Sequence, residues 1–195
     1  MHGKTTYVDR NDVAKALEVL KAGGIILYPT DTIWGIGCDA TNPEAVEKVF
    51  ALKGRDQAKS MILLLHNENQ LASYVNDIPD VAYELIEVTD RPLTIIYSQS
   101  KNLPASTVAA DGSVAIRVAD HPFCQQLLQR FRKPIISTSA NLSGQSSPAN
   151  FSEIDVAIIE GVDYVVEFGQ HDMKSQKPSM IMKLGSGGQF EFIRK

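Results

Sequence analysis

The length of the apolar runs constrains this chain most. Ile25-Ile26-Leu27-Tyr28 and Met61 to Leu65 are four and five residues long and are bounded by Gly, Pro and polar residues. Runs of that size suit strands buried on both faces and fall far short of the roughly 20 residues a bilayer span needs. Helix signals lie between them. Over residues 12–22, Val13, Leu17 and Leu20 share one face, Asn11 is placed to cap the start, and Gly23-Gly24 can close the end. Asn42-Pro43-Glu44 reads as a cap, a first-turn proline and a carboxylate suited to a helix N-terminus. Val46, Val49, Phe50 and Lys53 follow at helical spacing. Further helices are expected at 67–75, 79–88, 122–131 and 152–160. Strands are expected at 24–28, 60–65, 93–97, 113–118, 134–137, 164–168, 180–184 and 190–193. Gly185-Ser186-Gly187-Gly188 turns between the last two. The alternation predicts an α/β fold with a sheet flanked by helices, and the late strands are open to antiparallel pairing.

Composition removes several function classes. With 195 residues and 44% hydrophobic content, one domain spanning 1–195 can build its own core. A net charge of −4 gives no bulk nucleic-acid signature, although it leaves room for a local basic patch. Cys38 and Cys124 are too few and too far apart for a disulfide framework. Free thiols in a reducing cytoplasm are the simpler reading. Met1 to Thr6 lacks the apolar core of a signal peptide. There is no Walker phosphate loop, no G-x-G-x-x-G and no G-x-S-x-G elbow. His2, His66, His121 and His171 lack metal-ligand spacing, so no metal site is expected.

Three polar clusters remain. Lys53-Gly54-Arg55, with Lys59, sits at a helix-to-strand junction. It suits a polyphosphate, or simply a helix end whose cations complement the dipole. Thr30-Asp31-Thr32 stands just past a strand, where open α/β sheets often contact ligands, and also where such residues cap turns. Ser137 to Gly144 follows the apolar pair Ile135-Ile136 and holds four hydroxyls and the Asn141 amide. Such a loop can read a carboxylate, a ribose or phosphate oxygens, or be a polar turn. Arg117, ending the apolar strand Ser113 to Ile116, needs an anion if buried: a ligand carboxylate or an internal partner.

Taken in order and spacing, these segments resemble the YrdC family of L-threonylcarbamoyladenylate synthases, in its short form. The resemblance runs from about Asp9 to Arg194. It rests on Tyr28-Pro29-Thr30-Asp31-Thr32 with Trp34-Gly35, Lys53-Gly54-Arg55 with Lys59, Ala115-Ile116-Arg117 with His121-Pro122, and Ser137-Thr138-Ser139-Ala140-Asn141-Leu142-Ser143-Gly144. It implies a twisted, open, mixed sheet with a concave cleft. It also implies a reaction in which L-threonine, bicarbonate or CO2, and ATP give L-threonylcarbamoyl-AMP and pyrophosphate. Threonylcarbamoyl-transferase proteins downstream then modify adenosine 37 of tRNA. Carried over by position, Lys53 and Arg55 are the expected catalytic cations. Arg55, Lys59, Ser113, Asn141, Ser143 and Arg194 would bind ATP, with Mg2+ carried on the nucleotide. Thr30, Thr32, Arg117, Ser139 and Ser179 would bind threonine. Asp90-Arg91-Pro92-Leu93-Thr94 departs from the family's Pro-Gly-Pro-x-Thr, Trp34 replaces a usual Tyr, and Ser60 a usual Pro. The competing reading is a module of the same fold that binds tRNA or double-stranded RNA through the clustered cations, without adenylation.

Overall fold

The computed structural model describes residues 7–54, 61–174, 177–185 and 187–195. Nine strands form one sheet: β1 (Ile26–Tyr28), β2 (Gly35–Gly37), β3 (Ile62–Leu65), β4 (Leu93–Tyr97), β5 (Val114–Val118), β6 (Ile135–Ser139), β7 (Tyr164–Val165), β8 (Met180–Leu184) and β9 (Phe190–Arg194). Their order is β7-β1-β2-β6-β3-β5-β4-β8-β9. The sheet is mixed. β1–β7, β3–β5 and β4–β8 run parallel and the other neighbours antiparallel. Among the described residues six α-helices accompany it: α1 (Arg10–Lys21), α2 (Pro43–Lys53), α3 (Leu71–Tyr74), α4 (Asp80–Val88), α5 (Pro122–Phe131) and α6 (Val156–Gly161).

The apolar runs are continuous because both faces of the sheet are covered. Ile26, Tyr28, Leu64 and Ile135 join Leu20 of α1 and Phe123 and Leu127 of α5. Leu27, Leu63, Leu65 and Ile136 point the other way, onto Val46, Val49 and Phe50 of α2. Successive strand residues therefore feed two cores. No helix among the described residues is long and apolar enough to cross a membrane.

Where the elements depart from expectation, a hydrogen bond decides. Asp9, not Asn11, caps α1; its carboxylate accepts the Asn11 N–H at 2.9 Å because the helix opens at Arg10. The segment 67–75 splits into a 3-10 turn (Glu68–Gln70) and the single turn of α3, with no side-chain cap on either. The segment 152–160 also splits, since Asp155 caps α6 by accepting the Ala157 N–H at 2.9 Å. β7 stops at Val165 rather than 168. The buried Asp12 carboxylate accepts the Tyr164 hydroxyl and the N–H groups of Glu167 and Phe168, drawing the chain out of the sheet. The turn between β8 and β9 closes with Gly188 N–H donating to the Gly185 carbonyl at 3.1 Å. β2, Gly-Ile-Gly, is a strand that the apolar runs do not announce. There, a Cβ on Gly37 would lie 2.6 Å from the Tyr28 ring and 3.0 Å from the Ile136 carbonyl. That strand pairs with β6, so β6 runs two residues past the expected end at Ser137, through Thr138 and Ser139.

Candidate functional site

β6, β5, β8 and β9 bring their polar ends to one hollow of about 370 Å³. Its floor is apolar, from Ile62, Ile96, Ala115 and Ile181, and its rim carries Thr32, Ser137, Thr138, Ser139, Ser147 and Ser179. Among the described residues, its charged lining groups are Arg117 and Arg194, with no carboxylate. A larger hollow of about 680 Å³ is lined by Asp31, Glu68, Glu87, Asp90 and Asp120 against the single guanidinium of Arg91. Among the described residues, the smaller hollow therefore carries positive charge and the larger one net negative charge.

Arg117 is placed by β5, opposite Leu64 of β3, and is 3% exposed. Its Nη2 lies 3.2 Å from Asp31 Oδ1, an ion pair closed off from water. That contact lacks hydrogen-bond geometry, and the Arg117 Nε–H and Nη2–H groups make no hydrogen bond. Of the two anions weighed for Arg117, the internal one is present, and it leaves the buried Nε–H and Nη2–H donors unspent.

Arg194, on β9, donates from Nε to the Ser179 carbonyl at 2.8 Å and from Nη2 to Ser179 Oγ at 3.3 Å. Burial, and then the neighbouring Arg117 charge, hold its guanidinium below the ordinary value. Two cations thus share one space, which a bound anion would relieve. Behind Ser179, Thr94 Oγ1 lies 2.8 Å from Ser179 Oγ and is wholly buried in β4. Sequence reasoning left Thr94 unassigned. Its signal was a lone hydroxyl in the apolar run Leu93-Thr94-Ile95-Ile96.

Lys53 does not project outward. It is 2% exposed, and its ammonium donates to the carbonyls of Ser139 and of Asn141, the latter at 2.6 Å. The Ser143 N–H donates to the Lys53 carbonyl at 2.9 Å. The end of α2 and the Ser137–Gly144 segment are thus stitched together through Lys53. Arg55 and Lys59 lie outside the described residues. Asn141 Nδ2 donates to Leu142 and Gln145 carbonyls, while its Oδ1 is buried without a partner.

Thr32, Arg117, Ser139, Ser179 and Arg194 therefore converge on the hollow, whereas Lys53, Asn141 and Ser143 do not line it. Two further expected contacts are not brought to it. Ser113 gives its hydroxyl proton to Asp111 Oδ1 at 2.6 Å. That bond, with the Ser113 N–H, holds the Asp111 carboxyl below the usual range. Thr30 faces the larger hollow, and its hydroxyl is spent on the Ile33 carbonyl and on Thr32. Both are drawn away because a strand-end turn consumes short hydroxyls locally. Among the described residues no group of three His, Cys, Asp or Glu side chains could hold a metal ion.

Comparison with known proteins agrees with this fold. The Sua5/YciO/YrdC family model, described as telomere recombination, matches residues 18–195. The threonylcarbamoyl-AMP synthase of Pseudoalteromonas translucida is 37% identical over 162 residues, 82% of this chain and 87% of that one. The structure of E. coli YciO superposes with a TM-score of 0.82 at 24% identity, over 96% of this chain and 90% of that one. P. abyssi Sua5, solved with L-threonine, also gives 0.82 at 23% identity, over 91% of this chain. This chain spans 52% of that one, about half its length. With the family model matching residues 18–195 and a 37% identical relative matching over 82% of its length, the chain belongs to the Sua5/YciO/YrdC family.

Proposed function

We propose that this protein is an L-threonylcarbamoyladenylate synthase. It condenses L-threonine, bicarbonate or CO2, and ATP to L-threonylcarbamoyl-AMP and pyrophosphate, which downstream threonylcarbamoyl-transferase proteins use at position 37 of tRNA. The observation that carries the reading is a hollow whose charged lining, among the described residues, is two guanidinium groups, one with unspent N–H donors, together with several hydroxyls. Arg117 pairs with the threonine carboxylate, and Thr32, Ser139 and Ser179 meet its remaining polar groups. Arg194, Asn141 and Ser143 stand toward the nucleotide. Arg55 and Lys59 complete the phosphate contacts, with Mg2+ held by phosphate oxygens and water.

The threonine amine adds to CO2, giving a carbamate and releasing a proton. A carbamate oxygen then attacks the α-phosphorus of ATP, and pyrophosphate leaves. Such transfer depends on alignment and charge neutralisation more than on a covalent nucleophile. Lys53 contributes by holding the Ser139 and Asn141 carbonyls, and so the loop that presents both residues. The apolar floor limits water around a labile carbamate. A pyrophosphate-release assay with threonine, bicarbonate and ATP omitted in turn tests the reading. Release that requires all three is expected, and release without threonine overturns it.

A further inference from the structure

Proton counting gives the hydroxyl pair beyond β1 a definite polarity. A threonine hydroxyl has one proton to donate and two lone pairs to accept with. Thr30 Oγ1 uses all three. It donates to the Ile33 carbonyl at 2.8 Å and accepts the Thr32 N–H at 3.1 Å. Its remaining contact, 2.9 Å to Thr32 Oγ1, must then carry the Thr32 proton. Thr32 lines the smaller hollow and is left to offer it lone pairs alone. Thr30 and Thr32 are 6% and 3% exposed, so water is a poor competitor for either bond. The charged groups facing the same space, Arg117 and Arg194, have the opposite polarity and offer only donors. A carboxylate satisfies the guanidinium side of the hollow. Only a ligand donor satisfies Thr32, and in an α-amino acid the amine is the donor fixed one carbon from the carboxylate that the guanidinium groups hold.

We infer that Thr30 is a positioning residue that holds the Thr32 proton, keeps Thr32 Oγ1 an acceptor, and thereby selects α-amino acids over their deaminated counterparts. The inference rests on the threonine reading of the hollow. Thr30 itself touches no substrate; it acts through the direction of one hydrogen bond.

Calorimetric titration of the full chain with L-threonine and with (R)-3-hydroxybutanoate, which keeps the carbons, hydroxyl and carboxylate but lacks the amine, tests it. The parent is expected to prefer threonine by about tenfold or more, the value of one hydrogen bond to a charged group. Thr30→Val, similar in shape but without the oxygen, frees Thr32 to turn its proton into the hollow. It should weaken threonine about tenfold and move the deaminated ligand by about twofold or less. Thr30→Ser, which returns the oxygen, should recover most of the threonine affinity. Equal losses for both ligands, or unchanged threonine binding in Thr30→Val, overturn the inference while leaving the site reading standing. Should Thr30→Val fail to fold, the parent decides alone: equal affinity for the two ligands overturns it. A parent chain that binds no threonine overturns the site reading, and the inference with it.

Discussion

Arg117 shows how much one side chain can carry. Its guanidinium sits in a low-dielectric strand end with Asp31 at 3.2 Å, so removing it leaves a carboxylate buried at 6% exposure without its partner. Arg117→Ala is therefore expected to cost about 3–5 kcal/mol of stability, measured by urea unfolding. Its effect on activity would be hard to separate from that loss. Arg117→Lys keeps the charge and removes the planar fork. It should raise the threonine KM about tenfold with a smaller change in kcat, read from threonine-dependent pyrophosphate release. An unmoved threonine KM would take Arg117 out of the amino-acid site. From the sequence, a buried arginine after an apolar run demanded an anion, and that demand was legible. Which anion was not, because Asp31 is 86 positions away from Arg117 and only the sheet brings them together.

Elements deliver these residues, and the delivery has weak points. β2 exists because two glycines let it lie against β1 and β6. Gly37→Ala would push a methyl to 2.6 Å from the Tyr28 ring and 3.0 Å from a backbone carbonyl that cannot swing away. A loss of about 1–3 kcal/mol is expected, as a lower urea midpoint at an unchanged slope. α2 is the second lever. Its start was readable: Asn42 accepts the N–H groups of Glu44 and Ala45 at 3.0 and 3.3 Å, and Asn42→Ala should cost about 1 kcal/mol. At its end only Lys53 of the three cations lies among the described residues, and it turns inward; helical periodicity alone cannot tell a snorkelling lysine from one bonded beneath a loop. Lys53→Met leaves the Ser139 and Asn141 carbonyls without that donor. It is expected to lower the thermal midpoint and to reduce kcat/KM for both threonine and ATP. Full activity in a well-folded Lys53→Met chain would show that the stitch is dispensable.

Across the whole molecule, two cores pressed on one sheet explain the fate of the cysteines. Cys38 lies in one core and Cys124 in the other, each at 1% exposure or less, and burial pushes both thiols well above their ordinary value. The thiolate is the reactive form. Labelling by an aromatic disulfide reagent at pH 8 should therefore wait on unfolding and become fast only in denaturant. Rapid labelling of either thiol in the native chain would mean that its core opens locally. The amino-acid sequence by itself determined the α/β class, the limits of β4 and α5, the proline start of α2, and the residue types of the site. Each is set by neighbours a few positions away: apolar period, capping oxygens, a ring that locks φ. The nine-strand order, the two-glycine strand between β1 and β6, the partner of Arg117 and the inward turn of Lys53 were decided only by tertiary structure. Contacts between residues tens of positions apart choose among local options of nearly equal energy, and no local pattern encodes that choice.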